Sequence, residues 1–579
     1  MIRRIRRTRN VALMAGVATY TLFRARLRAL RPMLKLPPVR YNVGVERNLR
    51  VPMRDGITLA ADHHFPRARG DYPTILIRTP YGRAISGGIA GVSEGFKAQR
   101  FAERGYHVVV QDVRGRFDSE GEFEPFVNER EDGLATLEWL AAQPWFNGKV
   151  ALWGQSYLGF CQWAVAAEAP DYVKAIMPAI SASQFRSLVF PDGAYALNTA
   201  LRWAYLSEFV GNKRGWRNWR TLPHTRRLIR GRIFERAYQH LPLQEADQVV
   251  AGRTIAPFQE SLTTAGPDSP RWEDVDFSRT LAKVTMPTHL IAGWYDALLR
   301  EMLADYAGLR RAGHNPYLTI GPWSHIDQRV QGAMLREGVQ WFDAHLKGDR
   351  QQLREKPVRV YVMGAKTWRD FDEWPPPSDP TRYYLQADGW LALDPPELER
   401  SYTHYHYDPS NPTPSLGGTT IFPPSGALDQ SSLEARADVL VFTSALLLEP
   451  VEVMGAVRLE LYVRSNRAHT DFVGRLCDVD PDGRSVNICD GLFRIHPGKG
   501  EPQPDGSLKI VVEMWATAYR FEQYHRIRLH VCSGAHPRWS RNLGTGEPFH
   551  TGTTMLTAAQ TVYHDTEHLS ALVLPVTEG

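Results

Sequence analysis

Lys149-Val-Ala-Leu-Trp-Gly-Gln-Ser-Tyr-Leu-Gly159 reads as a strand that turns into a helix through a Gly-x-Ser-x-Gly pentapeptide. Val150 to Trp153 is apolar and β-prone, and Phe160 to Ala167 suits a helix. Such a turn forces its serine into a strained backbone conformation, so glycines at 154 and 159 are required for strand and helix to approach closely. Ser156 is therefore the candidate nucleophile, presented at the sheet edge with the positive end of a helix beneath it.

Around this turn the chain alternates strand and helix. Val51-Pro-Met-Arg-Asp-Gly-Ile-Thr-Leu59 reads as a β-hairpin. Thr74 to Arg78 and His107 to Asp112 suit buried parallel strands, and Glu129 to Ala142 has the spacing of an amphipathic helix. A further strand lies near Val173 to Pro178. From Ala182 to Arg279 the pattern is helical and irregular, rich in Trp and Arg, as expected of a cap over a sheet edge. Arg202, Arg214, Arg217, Arg220, Arg226 and Arg227 read as solvated helix faces rather than as an attractor for an anionic acyl group. The sheet resumes with Thr288 to Ala292, the helix Glu301 to Arg311, the strand Tyr317 to Ile320 and a closing helix Val330 to Leu346. Beyond Lys356, short alternating runs separated by proline-rich punctuation indicate a β-sandwich of jelly-roll type. The expected organisation is a basic extension over 1–41, a doubly wound α/β catalytic unit over 42–181 and 280–355, a helical cap over 182–279, and the all-β domain over 356–579.

Composition narrows the function. The net charge of +6 is carried by the first forty residues, which hold eleven Lys and Arg and no Asp or Glu; the other 539 residues therefore carry six less eleven, or −5. Nucleic-acid binding has no support in that body. The apolar run from Val11 to Phe23 is thirteen residues, about 20 Å of helix against a hydrocarbon core of about 30 Å. Three readings of this extension stay open: an uncleaved signal-like segment, a basic helix on an anionic membrane surface, or a disordered extension. Cys161, Cys477, Cys489 and Cys532 have neither zinc spacing nor disulfide density, which favours free thiols and a cytoplasmic location. No cofactor or metal is expected. Asp478-Val-Asp-Pro-Asp-Gly483 imitates the start of a calcium loop, but Cys489 stands where such a loop needs Glu, so it reads as a hairpin turn.

Hydrolysis by serine needs a base, a carboxylate to orient it, and donors for the developing oxyanion. Asp296 ends Gly293-Trp-Tyr-Asp296 and His325 ends Gly321-Pro-Trp-Ser-His325, at the close of consecutive strands. Ser, Asp, His is the chain order of the α/β-hydrolase arrangement. The backbone N–H of Tyr157 is one candidate oxyanion donor. The Tyr81 hydroxyl, in the loop Thr79-Pro-Tyr-Gly-Arg83 after an early strand, is the second. His107, His289, His404, His406, His525, His530 and His536 read as structural. A pocket between cap, sheet and β-domain would suit an aromatic or bulky acyl group, with Trp153 and Trp323 either lining it or lying in the core.

Taken together, Thr79-Pro-Tyr81, Asp112-Val-Arg114-Gly-Arg116 with Ser119-x-Gly121, Gly154-Gln-Ser-Tyr-Leu-Gly159, and the segments ending at Asp296 and His325 resemble the motifs of cocaine esterase-like (CocE/NonD) hydrolases, within the X-Pro dipeptidyl-peptidase family. Thr470-Asp-Phe-Val473 and Cys489-Asp-Gly-Leu-Phe-Arg494 are similar too, so the resemblance runs from about Asn42 to the C-terminus. It implies an α/β-hydrolase domain with an inserted cap and a jelly roll beside the active site. It also implies Ser156, Asp296 and His325 as a triad, with Tyr81 and the Tyr157 amide as oxyanion hole. The implied substrate is a small ester or amide. An α-amino-acid ester hydrolase, a β-lactam acylase, an X-Pro dipeptidyl peptidase and, in another class, a non-catalytic binding protein are the alternatives. The basic extension and the oligomeric state fall outside what the resemblance implies.

Overall fold

The computed structural model describes residues 34–83, 88–209, 231–264 and 269–578. The basic run at Arg3 to Arg9, the apolar run Val11 to Phe23, and Arg214, Trp216, Arg217, Trp219, Arg220, Arg226 and Arg227 lie outside the described residues. Among the described residues no helix is long and apolar enough to cross a membrane.

Ten strands make the first sheet: β1 (Val43–Pro52), β2 (Thr58–Pro66), β3 (Thr74–Thr79), β4 (His107–Asp112), β5 (Val150–Gln155), β6 (Val173–Ala179), β7 (His289–Tyr295), β8 (Tyr317–Ser324), β9 (Val358–Val362) and β10 (Thr367–Phe371). Their order is 1-2-4-3-5-6-7-8-9-10. β3 to β9 are parallel to their neighbours, whereas β1–β2, β2–β4 and β9–β10 pair antiparallel. Alternation along each strand sorts its residues to two faces. Ile75 and Ile77 face the apolar layer to which the helices Gly88–Ala102 and Gln328–Leu346 contribute. Leu76, between them, faces the opposite apolar layer, to which the helices Glu129–Ala141 and Leu299–Arg311 contribute. Burial on both faces explains why these strands are nearly continuous apolar runs. The sheet continues past residue 355, where the sequence pattern ends the catalytic unit, because Val358, Val360 and Val362 are fully buried against it.

The helix Glu129–Ala141 departs from the amphipathic expectation, since it buries Glu129, Asp132 and Thr136. Those polar groups turn inward because arginines meet them: the buried Arg78 pairs with Glu129 and the half-buried Arg114 with Asp132. Between β6 and β7 lies the helical cap, whose own core includes Tyr195, Leu201, Tyr205, Phe234 and Phe258. Arg202 also departs from expectation. It is buried, stacks its guanidinium 4.7 Å from the Phe422 ring and donates to the Pro423 carbonyl, joining cap to β-domain.

The C-terminal all-β region holds twelve strands in a mixed, open arrangement. The long strand Val451–Ser465 pairs along one edge with Leu508–Phe521, and along the other with Ala571–Val576 and Ala558–Tyr563. Gly491 sits where an added Cβ would lie 2.0 Å from the Glu513 carbonyl oxygen, so two layers touch backbone to backbone there. Residues 480–484 close the hairpin between Thr470–Val479 and Ser485–Ile495, with the Arg484 N–H donating to the Asp480 carboxylate at 2.9 Å. All four cysteines are buried free thiols.

Candidate active site

Ser156 occupies φ 56°, ψ −124°, a region that β-carbon sterics disfavour. Close packing holds it there. The Ser156 N–H donates to the Ala179 carbonyl at 2.9 Å, and the Ser181 hydroxyl donates to the Ser156 carbonyl at 2.7 Å. A Cβ at Gly154 would fall 2.4 Å from Leu158 Cβ, and one at Gly159 would fall 2.4 Å from Ser181 Cβ. The glycines that flank the serine are thus needed for space.

Asp296 and His325 follow β7 and β8, two and three places from β5 along the sheet, so the parallel topology brings all three to one edge. The Ser156 hydroxyl donates to His325 Nε2 at 2.9 Å, and His325 Nδ1 donates to Asp296 Oδ2 at 2.7 Å. Asp296 is 1% exposed, and its other oxygen accepts the Leu298 N–H at 2.8 Å. A buried carboxylate held from both sides fixes the imidazole tautomer that leaves Nε2 free to accept a proton.

Tyr81 lies against the serine. Its phenol interacts with the Ser156 side chain and accepts from the Trp203 indole N–H at 3.4 Å, while burial raises its pKa. The phenol therefore stays protonated and able to donate. The Tyr157 N–H begins the helix Tyr157–Ala166, where geometry gives it no intrahelical acceptor. Arg116 holds the Tyr81 loop by donating to the Pro80 carbonyl at 2.9 Å, and reaches the cap through the Ser207 carbonyl at 2.7 Å. Burial lowers Arg116 to about 10, so it keeps its charge at neutral pH. Arg83 ion-pairs with Asp62, Asp112 and Asp118 and anchors the same loop.

A cavity of about 290 Å³ opens from Ser156 and His325. Phe126, Phe185, Leu188, Trp203 and Trp272 form much of its wall, and the β-domain adds Ile421 and Phe422. The tryptophans here come from the cap. Trp153 and Trp323, the sequence candidates, are core residues: Trp153 packs on Phe101 and Trp323 on Trp368. Among the described residues one carboxylate lines the cavity, Glu260, and it ion-pairs at 3.0 Å with Arg271, which also meets Glu124 at 3.0 Å.

The histidines assigned to structure lie elsewhere, as with His289 against Thr319 and His525 against Asp478. Sequence reasoning did not place Trp203 or Phe126 in the site. Trp203 sits in a cap without clear periodicity. Arg116 carried a signal, since a buried strand ending in Asp-Val-Arg-Gly-Arg places two cations beside a core that must satisfy them.

Residues 55–327 match the model of the X-Pro dipeptidyl-peptidase (S15) family, and 352–573 match the X-Pro dipeptidyl-peptidase C-terminal non-catalytic domain. A cocaine esterase from Rhodococcus is 33% identical over 92% of this chain and 99% of its own. The chain belongs to the X-Pro dipeptidyl-peptidase (S15) family, among its CocE/NonD hydrolases. An aminopeptidase from a Thaumarchaeota archaeon superposes with a TM-score of 0.79 at 23% identity, covering 94% of this chain and 98% of that one. An α-amino acid ester hydrolase superposes with a TM-score of 0.76 at 22% identity, covering 93% and 98%. At those identities the two structures speak to the fold, a hydrolase sheet with a cap and an all-β C-terminal region. Family membership makes the chain a serine hydrolase.

Proposed function

We propose that this enzyme hydrolyses carboxylic esters of a neutral, apolar acyl group through an acyl-enzyme, with Ser156 as nucleophile, His325 as base and Asp296 as orienting carboxylate. The observation that carries the reading is the unbroken relay from Ser156 Oγ through His325 to Asp296, at 2.9 and 2.7 Å, opening on an apolar cavity. Ser156 Oγ attacks the acyl carbon while its proton passes to His325 Nε2. The Tyr157 N–H and the Tyr81 O–H receive the negative charge that develops on the carbonyl oxygen. His325 then returns the proton to the leaving alcohol. Water repeats the sequence on the acyl-enzyme and releases the acid.

Two relatives have names that point to recognition of a free amino group, an aminopeptidase and an α-amino acid ester hydrolase. An ammonium in the pocket needs a carboxylate free to meet it, and Glu260 is already ion-paired with Arg271, which it shares with Glu124. We therefore assign a des-amino acyl group. The test compares kcat/KM for p-nitrophenyl phenylacetate and the p-nitrophenyl ester of phenylglycine. Preference for the first supports the assignment; preference for the second overturns it. The basic N-terminal segment is assigned to an anionic membrane surface on its charge alone, and flotation of the full chain with phosphatidylglycerol vesicles, against a chain lacking residues 1–33, tests that.

A further inference from the structure

Tyr157 carries two groups aimed in opposite directions: its amide faces the acyl site and its phenol is buried behind the nucleophile. The phenol, with the residue 1% exposed, donates to Glu129 Oε1 at 2.7 Å and accepts the Phe126 N–H at 2.8 Å. Glu129 is 2% exposed, and its carboxylate forms an ion pair with Arg78 at 3.0 Å. Arg78 is fixed in turn by the Glu129 carbonyl at 2.6 Å and by Gln111 at 2.9 Å. Phe126 has φ 73°, a strained left-handed backbone that a phenylalanine keeps only where its surroundings hold it. Its ring stacks on Tyr157 at 4.7 Å and forms one wall of the acyl cavity.

We propose that the Tyr157 phenol and the Glu129 carboxylate are a positioning pair for catalysis, which sets the oxyanion amide and the Phe126 wall of the acyl pocket in one register. The pair touches no substrate. Through Tyr157 it fixes the first turn of the helix whose amide meets the oxyanion, and through Phe126 it fixes the surface that meets the acyl group. A staple of the fold alone would be bonded only to elements remote from the reacting atoms, whereas this phenol is bonded to the backbone of Phe126, whose ring lines the acyl cavity, and belongs to the residue whose amide follows the nucleophile. The inference rests on the hydrolytic reading above.

The test uses the full chain and three measurements, kcat, KM and melting temperature, with p-nitrophenyl acetate and p-nitrophenyl phenylacetate. Tyr157→Phe keeps the ring and removes both hydrogen bonds. It is expected to lower kcat by about 10- to 100-fold, the order that a shift of about 1 Å produces. It should also raise KM for the phenylacetate more than for the acetate, because the Phe126 wall is released. Glu129→Gln keeps an acceptor oxygen for the phenol but removes the Arg78 counter-ion. It is expected to lower the melting temperature and to leave kcat between those of wild type and Tyr157→Phe, whereas Glu129→Ala, which also removes the acceptor, should lose as much turnover as Tyr157→Phe. Wild-type kcat and acyl preference in Tyr157→Phe would overturn the proposal and leave the esterase reading intact. So would a Glu129→Ala variant that, still folded at the assay temperature, keeps wild-type kcat. Undiminished turnover in Ser156→Ala would overturn the reading on which the proposal rests.

Discussion

Gly159→Ala is expected to lower turnover by about 100-fold through one added methyl group. The new Cβ would lie 2.4 Å from Ser181 Cβ and 2.6 Å from Ser181 Oγ. Carbon atoms pack at about 3.5–4.0 Å, so helix and strand must part by about 1 Å. Overpacking of that order costs about 1–3 kcal/mol of stability. Turnover should fall along with stability, because Ser181 Oγ holds the Ser156 carbonyl at 2.7 Å and its displacement moves the nucleophile. A misplacement of about 1 Å is sufficient for a 100-fold loss. The assay is kcat on a p-nitrophenyl ester together with thermal melting, for Gly159→Ala, Ser181→Gly and the double variant. Ser181→Gly removes the obstructing Cβ at the expense of one hydrogen bond, so the double variant should recover at least tenfold over Gly159→Ala, a coupling of about 1.4 kcal/mol. Additive effects in the double variant would falsify the steric argument, as would wild-type turnover in Gly159→Ala.

Tyr81→Phe should lower kcat by about 10²- to 10³-fold with little change in KM, the usual loss for one oxyanion donor; steady-state kinetics check it. Phe422→Ala, which opens the cavity from the β-domain side, should reduce kcat/KM about tenfold for an aromatic acyl ester and less for an acetyl ester. Burial lowers His64 to about 4, while an unfolded imidazole ionises near 6.5. Its folded-state pKa is the depressed one, so the neutral ring is compatible with the fold above 6.5 and stability is lost as pH falls from about 6.5 towards 4, by about 3 kcal/mol at most. His64→Leu should therefore flatten the fall of melting temperature over that window.

The sheet was legible because its strands are buried on both faces and its helices on one, which writes two different periods into the chain. The candidate triad was legible for a related reason. A parallel sheet places the residues after β5, β7 and β8 at one edge, so chain order alone narrows the choice to Ser156, Asp296 and His325. The pocket was less legible. Phe126, Trp203, Trp272 and Phe422 come from a catalytic loop, two cap helices and the β-domain, and no local pattern records that they converge. Buried charge was the least legible feature. Glu129, Asp132, Arg78 and Arg202 resemble surface residues in sequence, and only pairing across the fold makes their burial affordable. That the sheet runs on past 355 was hidden for a simpler reason: Val358–Val362 alternates like an edge strand of the β-domain, yet it hydrogen-bonds in parallel to β8.

Reaction of the folded full-length chain with a fluorophosphonate, followed by mass spectrometry of the modified peptide, tests the central claim most directly. Stoichiometric phosphonylation of Ser156, with loss of esterase activity in proportion, is the predicted result; Ser156→Ala should stay unlabelled, and His325→Ala should label far more slowly. Labelling at another serine, or labelling of Ser156 at the same rate without His325, would contradict the account.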